Sequence, residues 1–276
     1  MMRRLLTTLI LMLCAGAIPA QDVEREITRV TYDVYRFQNR FHVNMFVITE
    51  AGVVVTDPIN TEAAAWLKAE IEKITDTPIT HLIYSHSHAD HASGGTGYGD
   101  VPNVIMHRNA PEDIDLVEAT VRFDEQLTFE VGEKTFELTY LGPGHGTDLI
   151  AIVVRPDDVG FVVDAVSSKR LFYRDFPGAD VDDWIAQVRK VDSLDFDILI
   201  GGHGAVGVKR DVGLGLAYLE ELRAEVLQGL QAGKSVDELK RSVTMEKYRA
   251  WANYEQWRAL NVEGMARHLQ ESGAVR

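Results

Sequence analysis

At 276 residues, with 46% apolar and 25% charged side chains, the chain has an ordinary soluble composition and length for one large domain or two small ones. Its 42 acidic and 28 basic residues give a formal charge of −14, the reverse of the basic footprint that nucleic-acid binding needs. A single cysteine, Cys14, excludes an internal disulfide framework.

The first 20 residues form a unit of their own. Arg3 and Arg4 give a positive start, residues 5–18 are almost wholly apolar, and Pro19-Ala20 precede the first acid, Asp22. That is the layout of a secretory signal peptide, with an apolar run too short for a comfortable membrane span. Cleavage after Ala20 removes two arginines and no acid. The mature chain then starts near Gln21 with a charge of −16, no cysteine and no stable membrane anchor. The expected location is periplasmic or secreted. An uncleaved anchor is the alternative, and the bulky Leu13 argues against lipidation at Cys14.

Residues 27–55 read as a run of strands: 30–37 alternate, 43–49 are largely apolar, and 52–56 are β-branched. Gln38-Asn39-Arg40 is the expected hairpin tip. Asp57 ends the third strand before Pro58, either as a turn residue or as a carboxylate that orients a metal-binding histidine from behind. Thr61 is placed to cap a helix over 62–74, with Ala65, Leu67, Ile71 and Ile74 towards the core. Residues 75–78 break it.

An apolar strand, Leu82-Ile83-Tyr84, then runs into His86-Ser87-His88-Ala89-Asp90-His91. Three imidazoles and a carboxylate within six positions are hard to place by packing, because each carries polar atoms that need partners. They suit a borderline metal such as zinc, which takes neutral histidine nitrogen and carboxylate oxygen. In extended backbone His86 and His88 share a face, so both reach one ion, while Asp90 and His91 follow where the strand turns.

Beyond the cluster, Gly94, Gly95, Gly97 and Gly99 mark a tightly turned segment. A strand is expected over 104–107, with His107 structural, and a helix over 111–121. Residues 127–131 and 135–140 alternate as a hairpin around Gly132-Glu133. Leu141-Gly142-Pro143-Gly144-His145-Gly146 follows, with glycines that let the backbone bend an imidazole inward. Strands over 149–154 and 161–163 lead to Asp164. Lys169, Arg170 and Tyr173 come next, either as a solvated basic loop or as contacts to a substrate carboxylate and carbonyl. Residues 196–200 form a buried strand ending in Gly201-Gly202-His203-Gly204. The remainder is helical: 213–231, a second helix opened by the capping box Ser235-Val236-Asp237-Glu238, and one or two more over 246–271. Trp251, Tyr254, Trp257, Leu260 and Met265 lie on or near one face, as core or as a homodimer surface.

The His-x-His-x-Asp-His run at a strand end, with the later Gly-Pro-Gly-His-Gly and Gly-Gly-His-Gly loops, resembles the signature of the metallo-β-lactamase-fold hydrolases. The resemblance implies an α/β, four-layered αβ/βα sandwich over 21–233, with 234–276 as an extra C-terminal helical extension. It puts His86, His88 and His145 on one metal, Asp90, His91 and His203 on a second, and Asp164 as the bridge. Asp57 would stand behind the ligands, and Phe37, Phe41 and His42, on a hairpin over the site, would either touch substrate or be ordinary strand residues. Two zinc ions per chain are implied, with iron or manganese as other occupants. Water ionised by the metals would attack the carbonyl of a small-molecule substrate, with Asp90 handling the proton. Export and the loop ending in Asp148 lean towards a β-lactamase, while Asp164 leans towards the lactonase and glyoxalase II types. Nuclease relatives are disfavoured by charge. An iron-dependent redox enzyme, such as a persulfide dioxygenase, and a non-catalytic metal-stabilised binding module are the other readings.

Overall fold

The computed structural model describes residues 23–112 and 116–275. The expected signal peptide over Met1 to Ala20 lies outside the described residues, as do residues 113–115 of the helix expected over 111–121.

Seven strands form the first sheet in sequence order: β1 (Arg25–Arg29), β2 (Val34–Asn39), β3 (His42–Ile48), β4 (Val53–Thr56), β5 (Ile79–Ile83), β6 (Asn103–His107) and β7 (Val121–Phe123). The pairing is antiparallel from β1 to β4 and parallel from β4 to β7. Helix α1 (Thr61–Ile74) makes the β4–β5 crossover, and the single turn α2 (Ala89–Ala92) follows β5. The second sheet holds β8 (Gln126–Val131), β9 (Lys134–Tyr140), β10 (Ile150–Arg155), β11 (Val159–Val162), β12 (Ile198–Gly201) and β13 (Gly207–Val208), again as neighbours in sequence order. Helix α3 (Val181–Ser193) links the parallel pair β11 and β12. Helices α4 (Lys209–Gln231), α5 (Val236–Ser242) and α6 (Tyr254–Glu271) complete the chain.

Strand alternation sorts the side chains into layers. On β3, Val43, Met45 and Val47 enter the core between the sheets, while Phe46 faces the opposite way with Val53, Val55 and the Leu67 and Ile71 of α1. Both faces are covered, so the inner strands are nearly continuous in apolar residues. The same cluster of buried residues continues through the second sheet to Trp184, Val188, Leu219 and Leu222 of the outer helices. Helix, sheet, sheet, helix is the expected four-layered α/β sandwich. Helices α5 and α6 join that same core through Leu239, Val262 and Met265.

Several local expectations differ. Residues 30–33 turn rather than extend, because the Val30 and Thr31 amides both donate to Val34 O. The β2–β3 tip falls on Arg40 and Phe41, since Asn39 already pairs with His42. Asn60, not Thr61, caps α1, accepting from Ala63 N at 2.9 Å. The helix buries Ala63, Ala64, Leu67 and Ile71, leaving Ala65 and Ile74 exposed. Residues 116–120 are not helical: Thr120 exchanges hydrogen bonds with the Val104 backbone, and Val117 N donates to the Tyr84 hydroxyl. Helix α3 was not anticipated. Its signals were there in the Asp180 cap, which accepts from Asp182 N and Asp183 N, and in the spacing of Val181, Trp184, Ile185 and Val188. The C-terminal aromatics turn towards their own chain, with Tyr254 and Met265 buried and Trp251 packed on Tyr218 and Tyr248.

At the end where β2 and β9 begin, Lys134 ties three turns together. Its ammonium lies 2.7 Å from Asp157 and 3.1 Å from Asp33, and Thr31 Oγ1 donates to Asp157 at 2.6 Å. Lys134 and Asp157 are buried, Asp33 partly exposed. Replacing Lys134 by Met leaves Asp157 without its counter-ion and is expected to cost about 3 kcal/mol. A lower urea midpoint at unchanged slope is the expected result; an unchanged midpoint would mean that the pair contributes nothing.

Candidate metal centre

The site forms where strands end. His86 follows β5, His88 precedes α2, and Asp90 and His91 ride on its single turn. His145 comes from the β9–β10 loop, Asp164 from just after β11, and His203 from just after β12. Residues from both sheets thus meet at one end of the sandwich, the end where the parallel strands finish.

The seven side chains form two groups that share Asp164. His86, His88, His145 and Asp164 offer ligand atoms all within 4.8 Å of one another, and so do Asp90, His91, His203 and Asp164. Asp164 Oδ2 lies 3.3 Å from His145 Nε2 and 3.4 Å from His91 Nε2; its Oδ1 lies 3.3 Å from His203 Nε2. Its backbone adopts φ +57°, the left-handed region that a non-glycine residue enters only when its surroundings hold it there.

Metal ligation would explain what packing does not. His86 Nε2, both ring nitrogens of His91 and Asp164 Oδ1 are buried without a hydrogen-bond partner, which is costly unless something else engages them. Burial holds His86, His88 and His203 neutral, below the ordinary histidine range. Burial alone would raise Asp164, but His91 and His145 outweigh it and keep the carboxyl ionised. The hydrogen bond with His42 does the same for Asp90. Neutral imidazoles beside ionised carboxylates are what a cation requires. His91 differs: burial opposes its proton, but Asp164, Asp57 and Asp90 outweigh that and raise it to about 9, so in their field a positive charge is favoured at this spot.

A layer of partners fixes the rings. Asp57, fully buried, accepts from Ser85 N at 2.8 Å and Ser85 Oγ at 2.6 Å, and lies 3.7 Å from His91 Nδ1. Ser85 Oγ also sits 3.0 Å from His86 Nδ1. Burial pushes the Asp57 carboxyl up to about 6 against the pull of His91 and Ser85. His203 Nδ1 pairs with Phe41 O at 2.8 Å, which leaves Nε2 facing Asp164. Gln187 of α3, fully buried, accepts from His145 N at 2.7 Å and donates to Gly142 O at 2.7 Å. Gly144 between them has φ +148°, and a Cβ there would meet Gln187 Oε1 at 2.5 Å, so the loop needs glycine.

A sequence model of the metallo-beta-lactamase superfamily matches residues 39–203, more than half of the chain. The chain belongs to this superfamily. It is similar to the 2,4-dinitroanisole O-demethylase subunit alpha of Nocardioides sp. (strain JS1661), 23% identical over 81% of this chain and 71% of that protein. It is also similar to the metallo-beta-lactamase type 2 of Elizabethkingia meningoseptica, 26% identical over 63% of this chain and 73% of the relative. A metallo-beta-lactamase from Pontibacter korlensis shares the fold, with a TM-score of 0.60 and 18% identity over 71% of this chain and 99% of that one.

In this superfamily member a cavity of about 550 Å³ opens over the site, lined by His42, His88, Asp90, His145, Asp164 and His203 together with Phe41, Arg170, Tyr173 and Trp257. Phe41 and His42 thus border the site as expected, and His42 Nε2 reaches 3.3 Å from Asp90 Oδ2, a contact not foreseen. Phe37 does not reach it: it is buried on the other face of the first sheet, stacked on Trp66. Lys169 is also elsewhere, in a surface groove with Arg29 and Val208, and its neighbour Arg170 is the cation that lines the cavity. Gln187 and Trp257 carry no motif and were not foreseen. His107 packs on Tyr140 at 3.8 Å outside the cavity lining.

Asp57→Ala removes the acceptor for Ser85 and the carboxylate beside His91. Metal affinity is expected to fall by about 10–100-fold, read by competition with a chromophoric chelator; an unchanged affinity would make Asp57 a turn residue only.

Proposed function

We propose that this chain is an exported, zinc-dependent hydrolase with a two-metal site that opens a carbonyl compound: a lactam, lactone, ester or thioester. The observation that carries this reading is Asp164, a carboxylate common to both groups of candidate ligands, with Oδ2 beside His145 and His91 and Oδ1 beside His203, on the lining of an open cavity. His86, His88 and His145 would hold one ion, Asp90, His91 and His203 the other, and Asp164 both. Two bound cations supply Lewis acidity and a water whose pKa falls from about 15.7 towards about 7.

The remaining work belongs to side chains. Asp90, partly exposed on the cavity wall and kept ionised, accepts the proton released as water attacks. His42 holds that carboxylate in place through its 3.3 Å contact. The buried Asp57–Ser85 pair keeps His86 and His91 aimed. Export rests on Arg3-Arg4, the apolar run 5–18 and the small residue Ala20. The type 2 metallo-β-lactamase relative favours a lactam among the four carbonyls. The O-demethylase relative, whose name states loss of a methyl group from oxygen in 2,4-dinitroanisole, adds an activated aryl ether to the electrophiles worth testing.

The test loads the purified chain with zinc, measures metal by elemental analysis, and assays a β-lactam, a lactone, a thioester and 2,4-dinitroanisole. Two metals per chain and chelator-sensitive turnover of at least one compound are expected. A stoichiometry that stays at one under excess zinc would remove the shared role from Asp164, and an iron-loaded chain without hydrolysis would point to redox chemistry. In the active chain, Asp90→Asn is expected to lower turnover by about 10²–10⁴-fold while the melting temperature in excess zinc holds. Near-normal turnover would take the proton-accepting role from Asp90.

A further inference from the structure

The loop that presents His203 has little of its own to hold it. Residues 201–204 read Gly-Gly-His-Gly, so His203 carries the only side chain in the stretch. Gly204 adopts φ +86° with open space where a Cβ would sit, and residues 204–206 are exposed. Outside the strand ladders, the hydrogen bonds that hold residues 202–204 among the described residues all come from the β2–β3 hairpin of the other sheet. Val43 N donates to Gly202 O at 2.8 Å, His203 Nδ1 pairs with Phe41 O at 2.8 Å, and Arg36 Nη2 donates to Gly204 O at 2.8 Å.

On the hairpin side, two of these bonds use main-chain groups that almost any sequence supplies. Arg36 is the exception. Strand alternation puts it on the face of β2 that carries Val34 into the core between the sheets, opposite to Phe37, and it pairs in register with Met45 of β3. It is buried there, although a guanidinium stays charged and a buried charge is costly unless it is paired. Yet among the described residues Arg36 forms no ion pair, and its acceptors are two neutral oxygens, Gln38 Oε1 and Gly204 O. Burial lowers its pKa from the ordinary arginine value, with the charge of Glu26 opposing. For stability alone an apolar residue would serve as well between Val34 and Met45. What an apolar residue lacks is the charge-assisted bond that crosses from the first sheet to the His203 loop. The ligands of the other group are braced elsewhere, His86 by Ser85 and the His145 loop by Gln187.

We propose that Arg36 is a positioning residue for His203: its bond to Gly204 O holds the loop in which the imidazole stands and so sets how tightly the ion of Asp90, His91 and His203 is bound, while the ion of His86, His88 and His145 does not depend on it. This rests on the two-metal reading of the site, so the test has a second arm that needs no metal.

In the first arm the metal-free full chain is titrated with zinc against a chromophoric chelator, which yields two stepwise affinities. The step lost in His203→Ala marks the ion of the second group. Arg36→Met is expected to lower that step by about 10–100-fold and to leave the other unchanged. Arg36→Lys, whose ammonium donates to a carbonyl without the planar fork, is expected to recover part of the loss. In the second arm amide hydrogen exchange of the metal-free chain compares Val43, which donates to Gly202 O, with Ile48 at the other end of β3, which donates to Asp33 O. Arg36→Met is expected to speed exchange at Val43 by at least about 10-fold with Ile48 unchanged. If wild type takes one ion only under excess zinc while the selective change at Val43 holds, the two-metal reading fails and the loop-holding role of Arg36 stands. Equal loss in both affinities, or equal acceleration at both amides, marks a structural arginine and overturns the proposal. So does a variant that binds zinc as wild type does. Should Arg36→Met fail to fold, Arg36→Lys carries both measurements under the same criteria.

Discussion

Asp164 places a carboxylate among His86, His91, His145 and His203, with all four ring nitrogens within 4.0 Å. A negative charge in a poorly solvated place is costly unless positive charge or hydrogen-bond donors surround it, and removing its partners costs more than the contacts were worth. The histidines come from three separate segments, and each must keep its ring within reach of one small group. Much of the surrounding architecture answers that demand. Strand β11 delivers the carboxylate, the strained φ of Asp164 aims it, and the loops from β5, β9 and β12 converge on it.

Rigid backing lies behind each loop. The β5 end is braced by Asp57, reached from the neighbouring strand β4. The His145 loop is stapled by Gln187 from α3, and Gly202 leaves the space between Val163, His91 and Asp164 that any side chain would occupy. The opposite end of the sandwich is satisfied within itself, through Lys134 and its two carboxylates. Four buried polar atoms without a hydrogen-bond partner, on His86, His91 and Asp164, thus gather at the site end, while the charges at the Lys134 end answer one another.

What could be read beforehand depended on how the chemistry is distributed along the chain. His86, His88, Asp90 and His91 are contiguous, so their density alone betrays them, and glycines flag His145 and His203. Asp57 was legible because it closes a strand before a proline. Gln187 was not, because it sits in the middle of an amphipathic helix and gains meaning only from a loop 42 residues earlier. Lys169 and Arg170 are adjacent cations, and the chain direction that separates them is set by Lys169 at φ +45° and by pairing with Ala252, neither visible in composition. Trp257 looked like core or dimer surface because its partners, Arg170 and Tyr173, lie more than 80 positions away. The described part of the helix expected over 111–121, residues 116–120, is not helical for a similar reason: Thr120 finds its partner on β6, and tertiary pairing overrides local propensity.

The tip of the β2–β3 hairpin separates two properties that most active-site residues combine. Phe41 orients His203 through its main-chain carbonyl, while its side chain, 62% exposed, borders the cavity. Any residue at position 41 presents the same carbonyl, so the outline of the cavity can drift through substitution there while the histidine keeps its aim. Evolution thereby gains a position where the cavity can vary independently of the candidate ligands, one physical route by which a fixed constellation of histidines can serve chemically different guests.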